Sequence, residues 1–354
     1  MFEEFGFETL TPRLASVYFA LAVGMGFGAL AQITRICIRR GLVGPATERR
    51  SALGVWMMAL ITAILGTQAA LGLGWIDFAD HRLHNGTLPF AAIIIGGIAF
   101  GVGMVLTRGC VSRLTVLSGT GNLRAVTVLI LFAIAAHATL KGILAPLRTG
   151  LGTITAPIGD AASLAALPGG AFFWTGVLLA AAAMLVIRAG ARRRDLILAG
   201  LIGLLVPLGW IGTGFILFDE FDPIAFESLS FTLPAAETLF WTAASSAVPA
   251  SFGPGLVGGV ILGSLLAAVI RREFNWQSFE TPQQTLRYGA GAVLMGVGGV
   301  LAGGCTVGAG LSGIPTLSIA ALLALASVAL GAVGFNAVLS RDTGRIKGAP
   351  IPAE

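Results

Sequence analysis

Long apolar runs are the feature that most constrains what this 354-residue chain can fold into. Nine of them follow one another along the sequence, each long enough to cross the roughly 30 Å hydrocarbon core of a bilayer as a helix. The composition agrees, because 56% of the residues are hydrophobic, only 11% are charged and the mean hydropathy is +0.89. The short alternating segments of a membrane β-barrel are absent. The chain is therefore predicted to be an all-α polytopic membrane protein.

The predicted spans leave one shorter apolar stretch between them. The spans cover residues 13–36, 52–76, 89–107, 123–145, 170–190, 195–218, 254–271, 285–303 and 314–338. Leu239–Phe252 is apolar but too short for a tenth span, and Pro249 lies near its end. It is predicted to be a re-entrant or interfacial helix. The expected fold has about nine transmembrane helices, in contact with the lipid bilayer, plus short re-entrant helices.

Basic residues predict the orientation of these spans. With the N-terminus outside, eighteen of the 22 Lys and Arg residues fall on the inner side of the membrane. The other four are Arg13, Arg82, Lys141 and Arg148. Because Lys and Arg concentrate in cytoplasmic loops, this predicts a periplasmic N-terminus and a cytoplasmic C-terminus. The pI of 9.7 therefore reflects topology, and no nucleic-acid partner is expected.

A ten-residue motif occurs twice in the chain. Gly101–Cys110 and Gly296–Cys305 are identical at seven of ten positions, and Leu-Ser-Gly follows each copy. The predicted spans that carry the two copies run in opposite directions. Identical motifs on oppositely directed helices are typical of the inverted-topology repeats of transporters. The predicted organisation is a first half-repeat at 1–192, a second half-repeat at 193–340 and a cytoplasmic tail at 341–354.

All three cysteines lie where glycine or polar residues interrupt an apolar helix. A buried cysteine on its own most often acts as a small hydrophobic residue. Here, however, Cys37 ends a polar Gln-Ile-Thr-Arg-Ile-Cys segment, and Cys110 and Cys305 end the repeated motif. Broken backbone at membrane depth persists only where it is buried or lines a polar path. Such breaks also create helix N-termini, whose N–H groups favour anions.

The numbers and spacing of the cysteines and histidines argue against structural disulfides and metal sites. Three cysteines are an odd number, and no two of them have the close spacing of a zinc or redox motif. Two of the three histidines, His81 and His84, fall in a predicted outer loop. No metal and no cofactor are therefore expected.

Three cysteine motifs, in this order, make the chain similar to the YeeE/YedE family of sulfur-compound transporters. They are Gln32–Cys37, Gly101–Arg113 and Gly296–Gly313, and Phe240-Trp241 with Ser245-Ser246 extends the likeness into the second half. The resemblance implies a bacterial inner-membrane transporter rather than an enzyme, with an hourglass-like fold and thiosulfate uptake as its activity. It also implies that Cys37, Cys110 and Cys305 bind the anion one after another as it crosses the membrane. A small soluble sulfur-carrier protein of the TusA type is the implied cytoplasmic partner.

The chemistry of thiosulfate suits a path of this kind. The ion is a dianion with a soft terminal sulfur, and conduction needs several weak sites rather than one tight site. A neutral thiol is a weak S–H donor and a polarisable contact for that sulfur, while glycine N–H groups can solvate the sulfonate oxygens. The predicted substrate-binding residues are Cys37, Cys110, Cys305, Gly109, Gly304, Arg108, Gln32 and Ser312.

Two other functions are compatible with duplicated cysteines. A transmembrane thiol–disulfide electron carrier would form a disulfide between Cys110 and Cys305. A structural subunit would tolerate alanine at all three cysteines. Transport is favoured, because Cys37 has a motif of its own and the glycine-rich breaks suit an ion path.

Overall fold

The computed structural model of the chain describes residues 11–79 and 81–345. In these residues, nine helical stretches are long and apolar enough to cross a membrane. They are Pro12–Val43, Ala46–Gly72, Phe90–Ser118, Leu123–Lys141, Gly170–Ala189, Arg193–Ile216, Phe252–Ile270, Pro282–Thr316 and Ile319–Arg341. The predicted all-α polytopic fold is confirmed.

Several of the long stretches contain a break, so the structure has more helices than spans. The helices are α1 (Pro12–Thr34), α2 (Ile38–Val43), α3 (Ala46–Gly72), α4 (Phe90–Leu106), α5 (Val111–Ser118), α6 (Leu123–Lys141), α7 (Ala145–Gly152), α8 (Gly170–Ala189), α9 (Arg193–Ile211), α10 (Thr232–Ala243), α11 (Phe252–Ile270), α12 (Pro282–Leu301) and α13 (Ile319–Arg345). A π-helix, Thr306–Gly313, lies between α12 and α13. Two short strands, β1 (Thr87–Leu88) and β2 (Ala156–Pro157), pair antiparallel, with Thr87 opposite Pro157.

The short helix predicted at Leu239–Phe252 lies elsewhere. The structure places α10 at Thr232–Ala243, and residues 244–251 are not helical, so the predicted position is wrong. Pro234 is tolerated in the first turn of α10, because the first four N–H groups of a helix have no intrahelical partner. The last span also begins later than predicted, because Leu317 adopts a left-handed conformation just before α13.

The helix pairs repeat themselves between the two halves of the chain. The contact of α1 with α11 corresponds to the contact of α9 with α3. In the same way, the contact of α4 with α13 corresponds to the contact of α12 with α6. The short elements follow the same rule, since α5 contacts α6 as the π-helix contacts α13. Exchanging α1 with α9, α3 with α11, α4 with α12 and α6 with α13 therefore preserves the packing. This supports the predicted repeat, whose boundary near 192 stays a prediction.

Hydrogen bonds between distant segments define the two ends of the bundle. At one end Gln32 bonds to Glu273, and Asn122 bonds to Gln277. We call this end the arginine-rich face; its arginines include Arg35, Arg39, Arg108, Arg113, Arg271 and Arg287. At the opposite face, the Ser318 hydroxyl donates to the carbonyl oxygen of Leu83 at 2.6 Å.

Glycines allow α1 and α11 to approach each other closely. A Cβ added to Gly28 would overlap the carbonyl group of Val260, and one added to Gly263 would overlap the carbonyl group of Met25. Lipid tails are as apolar as the helices, so close van der Waals packing through small residues is a main source of helix association in membranes. The α1–α11 contact therefore depends on these glycines.

Replacing Gly263 by alanine is predicted to lower the thermal stability of the purified protein. The overlap with Met25 must be relieved by moving a helix, at a cost of about 1–3 kcal/mol. Gly258→Ala is the matched control, because Gly258 lies in the same helix with open space around its Cβ position. A melting curve in detergent should show a lower Tm for Gly263→Ala and an unchanged or higher Tm for Gly258→Ala. Equal melting temperatures would contradict this account.

Candidate functional site

The three cysteines share one local structure. Each is the N-cap of a short helix, and each follows by two positions a residue in the left-handed backbone conformation. The pairs are Arg35 (φ 52°) with Cys37, Arg108 (φ 58°) with Cys110, and Gly303 (φ 75°) with Cys305.

This local structure places a thiol beside backbone donors. A left-handed residue ends the long helix and turns the chain, so that a new helix begins at the cysteine. The N–H groups of its first turn have no intrahelical acceptor. At Cys305 the arrangement is visible, because the Gly308 N–H group donates to the Cys305 sulfur at 3.3 Å. All three cysteines are buried and free.

Cys37 and Cys110 come together although they belong to different helix breaks. Their thiols lie close enough to interact with each other. The Ser112 hydroxyl lies 3.2 Å from the Cys110 sulfur. Two thiols and one hydroxyl thus form a small polar group inside an apolar core, on the side of the arginine-rich face.

Cys305 has a different partner at the equivalent place. Phe231 directly precedes α10, as Cys37 directly precedes α2, and these two short helices occupy matching positions in the repeat. The Cys305 thiol lies against the Phe231 backbone and the Thr232 side chain. The Thr232 hydroxyl is buried, and besides the Cys305 thiol no hydrogen-bond partner for it is described. The second half therefore offers a thiol and a hydroxyl where the first half offers two thiols.

The predicted site residues Gln32 and Ser312 hold loops in place. The Gln32 amide donates to a carboxylate oxygen of Glu273 at 3.0 Å, which ties α1 to the connection between α11 and α12. The Ser312 hydroxyl donates to the Leu229 carbonyl oxygen at 2.6 Å, just before Phe231. In this structure both side chains position the cysteine surroundings.

The predicted glycines and Arg108 lie at the breaks themselves. The carbonyl oxygen of Gly109 accepts a hydrogen bond from the Thr107 hydroxyl at 2.9 Å, which orients the peptide before Cys110. A Cβ on Gly304 would lie 3.1 Å from the Ala309 nitrogen, so a side chain there would press on the π-helix. Arg108 is exposed at the arginine-rich face.

Several residues near the cysteines were missed by the sequence analysis. Thr232 lies in no motif, and Glu273 is 241 residues from its partner Gln32. The sequence therefore did not indicate that either residue lies near a cysteine. Arg113 ends the Gly101–Arg113 motif but was given no role. It is half-buried, and it donates to the Ala31 carbonyl oxygen at 3.3 Å, so it joins α5 to the end of α1.

The opposite face has a cavity beside the Cys305 break. Its volume is about 330 Å³, and Arg82, Arg148 and Gly303 contribute to its lining. Arg82 donates to the Gly303 carbonyl oxygen at 3.0 Å. Burial lowers the pKa of Arg82, and the neighbouring Glu227 carboxylate raises it. Two of the four basic residues predicted to lie outside thus line a cavity beside the Cys305 break.

No metal-binding cluster of His, Cys, Asp or Glu side chains is present in the described part of the chain. The fold and the site together define a polytopic helical membrane protein in which three buried thiols lie at the N-termini of short helices.

Comparison with known proteins identifies the family. A family model described as "Sulphur transport" matches residues 34–334, which contain all three cysteines, and the chain belongs to this YeeE/YedE family. The chain is 26% identical to the thiosulfate transporter TsuA of Spirochaeta thermophila, over 89% of this chain and 96% of that protein. It is 27% identical to the thiosulfate transporter TsuA of Escherichia coli, over 82% of this chain and 85% of that protein. The predicted family is confirmed, and the protein is a sulfur-compound transporter.

Replacing Thr232 by valine tests whether its hydroxyl serves the substrate. Valine has the same shape and removes a buried hydroxyl whose one described neighbour is a weakly bonding thiol, so the melting temperature should stay the same or rise. Uptake of labelled thiosulfate should fall about tenfold or more, the effect of one lost hydrogen bond to a charged ligand. Thr139→Val is the control, because the buried Thr139 hydroxyl donates to Ala135 in its own helix. Equal uptake by both variants would exclude a role for Thr232.

Proposed function

We propose that this protein imports thiosulfate across a bacterial inner membrane, through a narrow central path lined by Cys37, Cys110 and Cys305. The observation that carries the proposal is the shared local structure of the three cysteines, each a buried thiol at the N-terminus of a short helix. Both relatives described above carry the name thiosulfate transporter, which supports the choice of ion.

The two ends of thiosulfate match the two kinds of group at each break. Unpaired N–H groups can solvate the sulfonate oxygens, while the thiol meets the soft terminal sulfur. A neutral S–H group donates weakly and carries no charge, so the anion is neither repelled nor held. Relay by weak S–H contacts then allows the ion to leave each site. Sulfate lacks the soft sulfur and gains less from the thiols.

The orientation follows from the positions of the arginines. The arginine-rich face is cytoplasmic in this proposal and the N-terminus is periplasmic, in agreement with the preference of Arg for cytoplasmic loops. Cys305 follows the end of α12 near the opposite face, whereas Cys37 and Cys110 lie toward the arginine-rich face. The ion would therefore meet Cys305 first and the Cys37–Cys110 pair second. A TusA-type sulfur carrier would receive it in the cytoplasm.

The contacts of the thiols favour transport over a thiol–disulfide electron carrier. That alternative requires Cys110 and Cys305 to exchange electrons with each other. Instead, Cys110 lies against Cys37, and Cys305 lies against Phe231 and Thr232. A structural subunit has no need of three buried thiols, each at the start of a short helix.

Uptake of labelled thiosulfate by cells that lack their own importers tests the proposal. The parent protein should give uptake, and Cys110→Ala and Cys305→Ala should each reduce it strongly, because each removes one station of the path. Labelled sulfate should enter with none of them. Each variant should reach the membrane in the same amount as the parent, measured by immunoblot. Full uptake by both alanine variants would contradict the relay, and absent uptake by a well-expressed parent would contradict the choice of substrate.

A further inference from the structure

Three arginines of the arginine-rich face lie within electrostatic range of one another, and one of them is also near Cys37. Arg39 lies within electrostatic range of Arg108, Arg287 and Cys37. The Arg39 Nε atom is buried and has no hydrogen-bond partner in the described structure. Arg287 is held from behind, because its Nε donates to the Leu106 carbonyl oxygen at 3.1 Å and its guanidinium lies 5.7 Å from the centre of the Tyr288 ring. Arg287 is therefore held in place, and the Nε atom of Arg39 is left without a hydrogen-bond partner.

The nearby carboxylates are engaged by other arginines. Arg40 pairs with Glu48 at 2.7 Å, and Arg271 pairs with Glu273 at 2.9 Å. The hydrogen bond from Arg271 lowers the pKa of Glu273, so this carboxylate stays charged and paired. No described carboxylate pairs with Arg39, Arg108 or Arg287. Like charges at close range repel each other, so a counter-anion would stabilise this group.

The repeat shows a difference in charge at the position of Arg108. Arg108 has a φ of 58° two residues before Cys110, whereas the repeated motif has Gly303 at the same position. Glycine adopts this conformation freely and arginine does not. Strained residues of this kind cluster at functional sites. Arg108 thus occupies the position that Gly303 fills at the Cys305 break. It lies on the arginine-rich face, as Arg39 and Arg287 do.

The geometry points to an oxyanion-binding site formed by Arg39, Arg108 and Arg287, on the arginine-rich face directly beyond Cys37. Guanidinium groups donate paired N–H bonds to the oxygens of sulfonate or sulfate. They recognise the oxygens and ignore the soft sulfur, so this site accepts thiosulfate and sulfate alike. Its role as the last station before release rests on the proposed function, but its binding of an oxyanion does not.

Equilibrium binding of labelled sulfate to the purified full-length protein at low ionic strength tests this site. Sulfate is the probe because the thiols should not select it, so binding reports the arginines whether or not thiosulfate is transported. The parent should bind sulfate, and unlabelled thiosulfate should displace it. Arg108→Gly should weaken binding about tenfold or more, as expected for a lost hydrogen bond to a charged ligand. The melting temperature of this variant should not fall, because glycine relieves the left-handed backbone.

Arg272→Gly is the matched control. Arg272 has the same φ of 58° and is also exposed at the arginine-rich face, so this change removes the same charge and relieves the same backbone strain. Sulfate should bind this variant as it binds the parent. Arg39→Gln should weaken binding without a change at the Arg108 backbone.

Two results would overturn the site. One is a parent protein that binds no sulfate, and the other is an equal loss of affinity in Arg108→Gly and Arg272→Gly, which would indicate a general surface charge effect. Either result leaves thiosulfate uptake by the parent to be judged separately. Conversely, sulfate binding that depends on Arg108, in a protein without thiosulfate uptake, would contradict the proposed function and keep the site.

Discussion

Helix N-termini inside an apolar helix bundle are the constraint on which this structure depends. A continuous helix satisfies all its backbone groups, and each break creates donors that must meet an acceptor at membrane depth. At all three breaks the residue that precedes the new helix is a cysteine, and at one of them its sulfur accepts from the first turn, in the Gly308 contact with Cys305. A thiol accepts weakly, so in the proposed path these donors would remain available to a passing anion.

In the proposed path, the repeated helix packing would account for two stations, and its departures from symmetry would account for the difference between them. Equivalent helix pairs place Cys110 and Cys305 at matching breaks. The first half then adds a second thiol at Cys37, where the second half has Phe231 followed by Thr232. An ion moving between the stations would exchange a thiol and a hydroxyl for two thiols. Charge differs in the same way, because the break at Cys110 carries Arg108 where the break at Cys305 carries Gly303.

Features encoded over short stretches could be predicted, and features made by distant contacts could not. The nine spans follow from local hydropathy, and the breaks follow from glycines such as Gly303 and Gly109 beside the cysteines. The contact between Cys37 and Cys110 depends on how α1 packs with α5, which no motif reports. The position of α10 was predicted wrongly because apolar character continues past the end of that helix at Ala243.

Flux into liposomes that contain only the purified protein is the most direct test of the central claim, that the thiol-lined breaks select an anion with a soft sulfur. Labelled thiosulfate and labelled sulfate would be supplied separately, at equal concentration, to the same preparation. Thiosulfate should enter faster than into protein-free liposomes, while sulfate should enter at the protein-free rate. Equal entry of the two ions would contradict the account, because arginines and backbone N–H groups alone would then govern the path.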